Sequence, residues 1–567
     1  MRRPLIVFTV MAFLLMLPVV PWVSAQEIDS HVPRDVVAKH GMVAAAHPLA
    51  SQAGVDIMKQ GGNAIDAAVA AALALNAVEP NASGLGGGGF MVIRFAKTGE
   101  VVVIDYREKA PASSTRDMYA SQQAKSEKWT QLGGKAVGVP GTAKGLEMAL
   151  KRYGTMTFGQ VAQPAIRLAE EGFEVSPMLS GLIKDNYTKL ATYNELDDVP
   201  YFQDGLAKEP GDTLTNPYLA RTLRLVAEHG TDVIYSGEIG QAIVDAVNRT
   251  GGAMTMQDLA DYTAELREPV KGTYRGYEIV SMPPPSSGGT HLIQILNIME
   301  NFDVKALGHN TPEYLHVLAE TFKMVFADRA AYMADSDFVP VPVKGLSSKD
   351  YAKTQADQIK MDSVMTQLKP GAPQSYEHES TTHLTVVDEE GNIVALTQTI
   401  NYFFGSGVMA SGTGLLLNNE MDDFSTDPNS VSAPEPGKRP LSSMSPTIVL
   451  RDGQPFMALG TPGATRIFPS LAQIIMNVVD FGMGMDEAIE ATRIFCSSSA
   501  GKPGALVVES RLPEKVRGAL AAMGHKIDVR ADYDAYFGAC QAILFNAETG
   551  DIIGGADSRR LGEAIGF

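Results

Sequence analysis

Thr381 and Thr399 are the pair on which chemistry in this sequence would turn. The stretch from His378 to Asp388 alternates between Thr382 and Val387, with Leu384 and Val386 on one side and Thr381, His383 and Thr385 on the other. Asp388-Glu389-Glu390-Gly391-Asn392 has turn composition, and the run from Ile393 to Ile400 is a returning strand rich in Val, Leu and Thr. A hairpin symmetric about Glu390 sets Thr381 directly opposite Thr399 on one face. Two facing hydroxyls are an odd way to build a core: either this is simply the polar, solvent-facing side of a strand, or the hydroxyls serve chemistry. A threonine hydroxyl needs a base to become a useful nucleophile. A free N-terminal threonine carries its own, since an α-amine of pKa roughly 7.7–8 is partly neutral near pH 7 and can take the hydroxyl's proton. Thr381 lies mid-chain, so that chemistry requires the chain to be cut before it.

The neighbouring segments bear on the choice. Thr397-Gln398-Thr399-Ile400-Asn401 is followed by Asn418-Asn419-Glu420-Met421-Asp422-Asp423-Phe424, by Arg439-Pro440-Leu441-Ser442-Ser443-Met444-Ser445-Pro446-Thr447, and by Gly460-Thr461-Pro462-Gly463-Ala464-Thr465-Arg466. Upstream lie Gly84-Leu85-Gly86-Gly87-Gly88-Gly89-Phe90 and Asp105-Tyr106-Arg107-Glu108. In this order the segments resemble the γ-glutamyltranspeptidase family of N-terminal nucleophile hydrolases, from about Val43 to the C-terminus. The resemblance implies an α+β fold, a four-layer αββα sandwich. It also implies self-cleavage: the Thr381 hydroxyl attacks the Ser380 carbonyl, an ester forms, and water releases two intertwined subunits, 26–380 and 381–567.

Roles follow from the resemblance by motif. Thr381 matches the nucleophile and Thr399 the hydroxyl that orients or activates it, in agreement with the hairpin register. Arg107 matches the residue holding the substrate's α-carboxylate, for which a guanidinium fork is suited. Ser442 and Ser443 match the serines that touch the same end, and Asn401, Glu420 and Asp423 the groups gripping an α-ammonium. Gly463 and Ala464 stand where the family has two glycines whose amides form an oxyanion hole. Ala464 departs from that pattern; the chemistry needs only its N–H, so the change is harmless unless the position requires positive φ. The second departure is the short segment between Phe424 and Lys438, where some bacterial members carry a longer lid; an open cleft would admit bulkier donors. His383 reads as structural.

The elements that must position these groups can be read in outline. Helices are expected over Pro48–Lys59, ending at Gly61-Gly62, and over Ala64–Val78, with Asp66 in the first turn. Strands over 90–95 and 101–104 follow, the second delivering Arg107 at its end. The glycine run before them precedes a strand and lacks Lys-Ser/Thr, so close backbone packing is favoured over phosphate binding. Residues 151–303 read as mostly helical, with turns at Gly211, Gly230, Gly251 and Gly272. A helix over 312–334 carries an apolar stripe of Leu315, Leu318, Phe322, Val325 and Phe326, and 344–379 reads as an exposed, cuttable connector.

Composition bounds the rest. The 567 residues are 45% hydrophobic and 20% charged, which is globular, and the formal net charge of −18 argues against nucleic acid or anionic lipid as the main partner. Residues 1–25 have Arg2 and Arg3, an apolar run and Val23-Ser24-Ala25, the pattern of an export signal cut before Gln26. An uncleaved anchor is the other reading, but Thr9, Pro18 and Pro21 interrupt a run already short for a span. Periplasmic or secreted residence follows, with no membrane insertion after signal removal. Cys496 and Cys540 can pair or stay free; no His-Glu-x-x-His or Cys/His cluster occurs, so neither a metal nor another cofactor is expected. The expected activity is transfer of a γ-glutamyl group from glutathione or a similar donor to water, amino acids or peptides. The alternatives are a glutaryl or cephalosporin-type acylase of the same fold and a non-catalytic envelope binding protein.

Overall fold

The structure, a computed structural model, describes residues 34–368, 380–499 and 502–567. The expected signal at 1–25 and the last part of the connector, 369–379, lie outside the described residues. The strands needed below are, in chain order, β1 (Val36–Ala38), β2 (Met42–Ala45), β3 (Gly88–Arg94), β4 (Val101–Asp105), β5 (Glu265–Arg267), β6 (Val270–Tyr274), β7 (Tyr277–Ser281), β8 (Ser380–Val387), β9 (Ile393–Asn401), β10 (Thr447–Arg451), β11 (Gln454–Gly460), β12 (Gln541–Asn546), β13 (Asp551–Ala556) and β14 (Glu563–Gly566). They form two seven-stranded sheets of order β14-β2-β8-β9-β3-β4-β5 and β1-β13-β12-β11-β10-β7-β6. Each sheet interleaves strands from before and after the Ser380–Thr381 bond.

The helices needed below are α1 (Pro48–Lys59), α2 (Ala64–Val78), α3 (Gly288–Met299), α4 (Pro312–Tyr332) and α5 (Ile467–Val479). Helix α2 is buried along its whole length. Its small side chains let it lie close against the first sheet, where Ala67, Val69 and Leu73 share a core with Leu384, Val386, Val394 and Leu396. The opposite face of that sheet, with Phe90, Val92 and Val103, packs into a second core with Ile448, Met457 and Ile543 of the second sheet and with Leu292, Phe322 and Leu471 of α3, α4 and α5. The order is helix, sheet, sheet, helix, as the resemblance implied.

The hairpin register is the one read from the sequence: Thr381 pairs with Thr399, with an irregularity between Ser380 and Thr381. The polar face of β8 does not meet solvent. It is turned toward the second sheet, where His383 bridges Thr397 (2.8 Å) and Thr385 (3.0 Å), and the Thr385 hydroxyl donates to the Gln541 carbonyl at 3.0 Å. His383 is thus a satisfied core residue, and a Cβ on Gly460 would stand 2.2 Å from its ring.

Three expectations need correction. Gly272 is not a turn but a mid-strand residue of β6 opposite Ile279. A Cβ there would lie 2.4 Å from the Ile293 side chain, so the glycine lets α3 rest on the sheet. Helix α4 is buried on all sides from Tyr314 to Asp328 rather than along one stripe, because it is covered by both α3 and the C-terminal region. The described part of the connector, 344–368, has structure of its own. It contains a helix at Lys349–Ala356, and the amides of Val364 and Met365 are held by the Met523 carbonyl and the Glu320 carboxylate.

Candidate active site

Thr381 begins the regular part of β8, and its Oγ1 stands 3.3 Å from Thr399 Oγ1. The Thr399 oxygen is fixed from behind by the Asn401 amide, which donates to it at 2.8 Å. Asn401 can do so because it leaves β9 in a left-handed conformation, φ 72°, which asparagine tolerates better than most residues. Its side-chain amide then donates to the Asn419 carbonyl at 3.1 Å, tying the end of the strand to the acidic turn that follows. The Thr381 carbonyl accepts from Arg560 at 2.8 Å, and that guanidinium lies 3.4 Å from Glu79. Sequence reasoning missed Arg560 and Glu79; the Arg559-Arg560 doublet was the only local hint.

The glycine run brings the next layer of the site in. Gly88 pairs with Thr399 across the ladder, and a Cβ on Gly87 would sit 1.9 Å from the Thr399 carbonyl oxygen. A Cβ on Gly88 would meet Glu108 at 2.5 Å. The run therefore serves close packing, and it seats the Asp105–Glu108 turn directly beside the threonine pair.

Arg107 lies in that turn, only 1% exposed. All three of its side-chain nitrogens are engaged: Nε donates to the Pro440 carbonyl (3.2 Å), one terminal nitrogen to the Leu441 carbonyl (3.0 Å) and to Asp423, the other to Glu420. Glu108 is a third carboxylate, 3.6 Å away. Burial would lower the Arg107 guanidinium, but Glu420, Asp423 and Glu108 together raise it. Burial also raises Glu420 despite Arg107, and it pushes Glu108 up to about 7. One guanidinium thus faces three carboxylates, and Glu420 Oε2 is buried without a hydrogen-bond partner. Such an acidic excess favours an added cation. Glu108 was not among the residues given a role from sequence, though its motif was.

Ser442 and Ser443 follow the two carbonyls that hold Arg107. Ser442 Oγ accepts from the Met444 amide at 3.1 Å, and Ser443 Oγ from Arg329 at 3.0 Å. Gly463 and Ala464 form the turn between β11 and α5, past the end of the ladder. Gly463 has φ 131°, which demands glycine, and Ala464 has φ 38°. The condition under which Ala464 would matter is therefore met: alanine occupies a left-handed position at a cost of roughly 1–2 kcal/mol. Asp423, Leu441 and Thr465, the last two adjoining Ser442 and Ala464, line one cleft of about 800 Å³. Ser425, Thr426, Ser430 and Ser432 of the short segment after Phe424 line it as well.

His316, Glu320 and His525 come within metal-ligand reach of one another among the described residues, a grouping hidden by the distance of His525 in sequence. Their atoms already have partners: His316 meets His525 at 2.8 Å and the Lys360 carbonyl at 2.7 Å, and Glu320 holds the Lys323 ammonium at 2.5 Å and the Met365 amide at 2.8 Å. With an ammonium on its only carboxylate, the cluster reads as a buried polar network. Cys496 and Cys540 are both buried and free, their thiols pushed up to about 12 by burial.

Comparisons with known proteins return both glutathione hydrolases and acylases. The family model described as Gamma-glutamyltranspeptidase matches residues 50–567. A glutathione hydrolase proenzyme of Escherichia coli is 41% identical over 94% of this chain and 93% of its own. An Acylase ACY 1 proenzyme of a Pseudomonas species is 43% identical over 93% of both chains. Among solved structures, a cephalosporin acylase from Bacillus halodurans superposes with a TM-score of 0.85 at 31% identity, over 99% of both chains.

Proposed function

This chain belongs to the γ-glutamyltranspeptidase family, and on that footing we propose that it is a self-processing enzyme moving the γ-glutamyl group of glutathione and related donors to water, amino acids or peptides. After scission between Ser380 and Thr381, the freed α-amine of Thr381 takes the hydroxyl proton, with Thr399 orienting the oxygen at 3.3 Å. The hydroxyl attacks the donor's γ-carbonyl, and the amides of Gly463 and Ala464 receive the oxyanion. Collapse expels the leaving amine, which takes the proton held by the Thr381 amine and leaves a γ-glutamyl ester. Water or an acceptor amine then attacks that ester, with the same amine as base.

The donor's zwitterion fits the charged cluster by exchange. Its ammonium goes to Asn401, Glu420 and Asp423, and its α-carboxylate to Arg107, Ser442 and Ser443. Each end of the donor thereby takes over part of an ion pair that the site makes with itself. We further assign 26–380 and 381–567 to two subunits that remain joined through the interleaved sheets, and the N-terminal 1–25 to export into the periplasm or medium. No described helix is long and apolar enough to cross a membrane.

The acylase relatives share the fold and the nucleophile chemistry, so donor recognition separates the two readings. The observation that carries the γ-glutamyl reading is the set of three carboxylates around Arg107. A glutaryl donor brings no cation to them and leaves buried carboxylates uncompensated. The expected result is that kcat/KM for a γ-glutamyl anilide exceeds that for the glutaryl anilide by about a hundredfold or more. Asp423→Asn should narrow the gap by slowing the γ-glutamyl donor selectively. Comparable rates on both donors would promote the acylase reading.

A further inference from the structure

We infer that Arg329 is a positioning residue for the donor's α-carboxylate, acting through Ser443; the inference rests on the assignment of Ser442 and Ser443 to that carboxylate. Arg329 lies in the last turn of α4, where the helix dipole favours a cation, and it lines the same cleft as Asp423. Its Nε donates to Ser287 Oγ at 2.9 Å and a terminal nitrogen to Ser443 Oγ at 3.0 Å. Ser287 in turn donates its hydroxyl (2.7 Å) and its amide (2.8 Å) to the Ser442 carbonyl. One guanidinium therefore braces the Ser442–Ser443 pair, directly at one residue and through Ser287 at the other. The neighbouring Asp328 is turned away to Gln294, Tyr351 and Gln355.

The direction of the hydrogen bonds gives the arrangement its use. A guanidinium only donates, so Ser443 Oγ must accept from Arg329, and its single hydroxyl proton points elsewhere. Ser442 Oγ accepts from the Met444 amide and is left in the same condition. Two adjacent hydroxyls with their oxygens already engaged present themselves as donors, which suits a carboxylate. Arg107, by contrast, has every side-chain nitrogen engaged with the protein itself. The positive charge of Arg329 thus adds to the field that an incoming carboxylate meets.

The test uses the processed enzyme and Arg329→Met. KM for the γ-glutamyl anilide should rise about tenfold or more, the worth of one charge-assisted hydrogen bond, with kcat changed by less than about threefold. Competitive inhibition by L-glutamate should weaken in parallel, while inhibition by 4-aminobutyrate, which lacks the α-carboxylate, stays unchanged. A merely structural role would weaken both. Adding Ser443→Ala to Arg329→Met should cost no more than the larger single change, because one residue acts through the other. Equal weakening of both inhibitors, or losses that multiply in the double variant, would overturn the inference. Should Arg329→Met remain uncut, Arg329→Lys, which keeps the charge, is read by the same two comparisons. Failure of the unmutated enzyme to cleave any γ-glutamyl donor would instead sink the functional reading on which this rests.

Discussion

Thr381→Ala leaves the chain in one piece and without measurable transfer or hydrolysis. The unmutated protein should run as two bands on a denaturing gel, the smaller beginning at Thr381. The same hydroxyl serves two reactions, attack on the Ser380 carbonyl during maturation and attack on the donor afterwards, so one substitution removes both. The effect on turnover should be on the order of a millionfold, comparable with removal of a catalytic serine. The fold should tolerate the change. Thr381 sits next to the irregular step at the start of its strand, its carbonyl is held by Arg560, and the hairpin core is made by Leu384, Val386, Val394 and Leu396. Unchanged cleavage in the alanine variant would assign the cut to an external protease.

The second large effect is expected at Arg107. Arg107→Lys should lower kcat/KM on γ-glutamyl donors by about ten- to a hundredfold, because a compact ammonium cannot reproduce a two-pronged contact with a carboxylate. Lysine also cannot serve the Pro440 and Leu441 carbonyls together with Glu420 and Asp423, all of which the guanidinium holds at once. The backbone around Ser442 should loosen as a result, and KM should carry most of the loss. Arg107→Met goes further. It strands three carboxylates around one buried position, and removing one partner of a buried ion pair costs roughly 3–5 kcal/mol. A urea titration should show that loss of stability even where processing still occurs. Kinetics of Arg107→Lys equal to those of the unmutated enzyme would mean that the anchor lies elsewhere.

How much of this was legible in the sequence depends on the distance over which each feature is decided. The Thr381–Thr399 register follows from a period of two and a short turn, both local, and it appears in the structure as read. The composition of α2, almost all Ala, Val and Leu, announced close packing in the same way. The direction in which the polar face of β8 points was not local. It depends on the second sheet, where the Thr385 hydroxyl meets the Gln541 carbonyl 156 residues further along the chain, and so a face that resembles a solvent-exposed one is buried. Gly272 looks like a turn until α3 is seen to rest on it. The carboxylates Glu420 and Asp423 could be read as cation binders, but not their present engagement with Arg107. Nothing in the order of residues gives the sign of φ at Ala464. Arg329 and Arg560 make their decisive contacts with partners far along the chain, and no motif flags either one.

The central claim is that Thr381 becomes an N-terminal residue and then carries the acyl group. Intact-mass analysis of enzyme acid-quenched during turnover of a γ-glutamyl anilide tests it most directly. The small chain should have the mass of Thr381–Phe567 in resting enzyme and gain one γ-glutamyl group at the quench, with hydroxylamine removing the adduct as it would an ester. An adduct on the large chain, or a small chain beginning at any residue other than Thr381, would contradict the account.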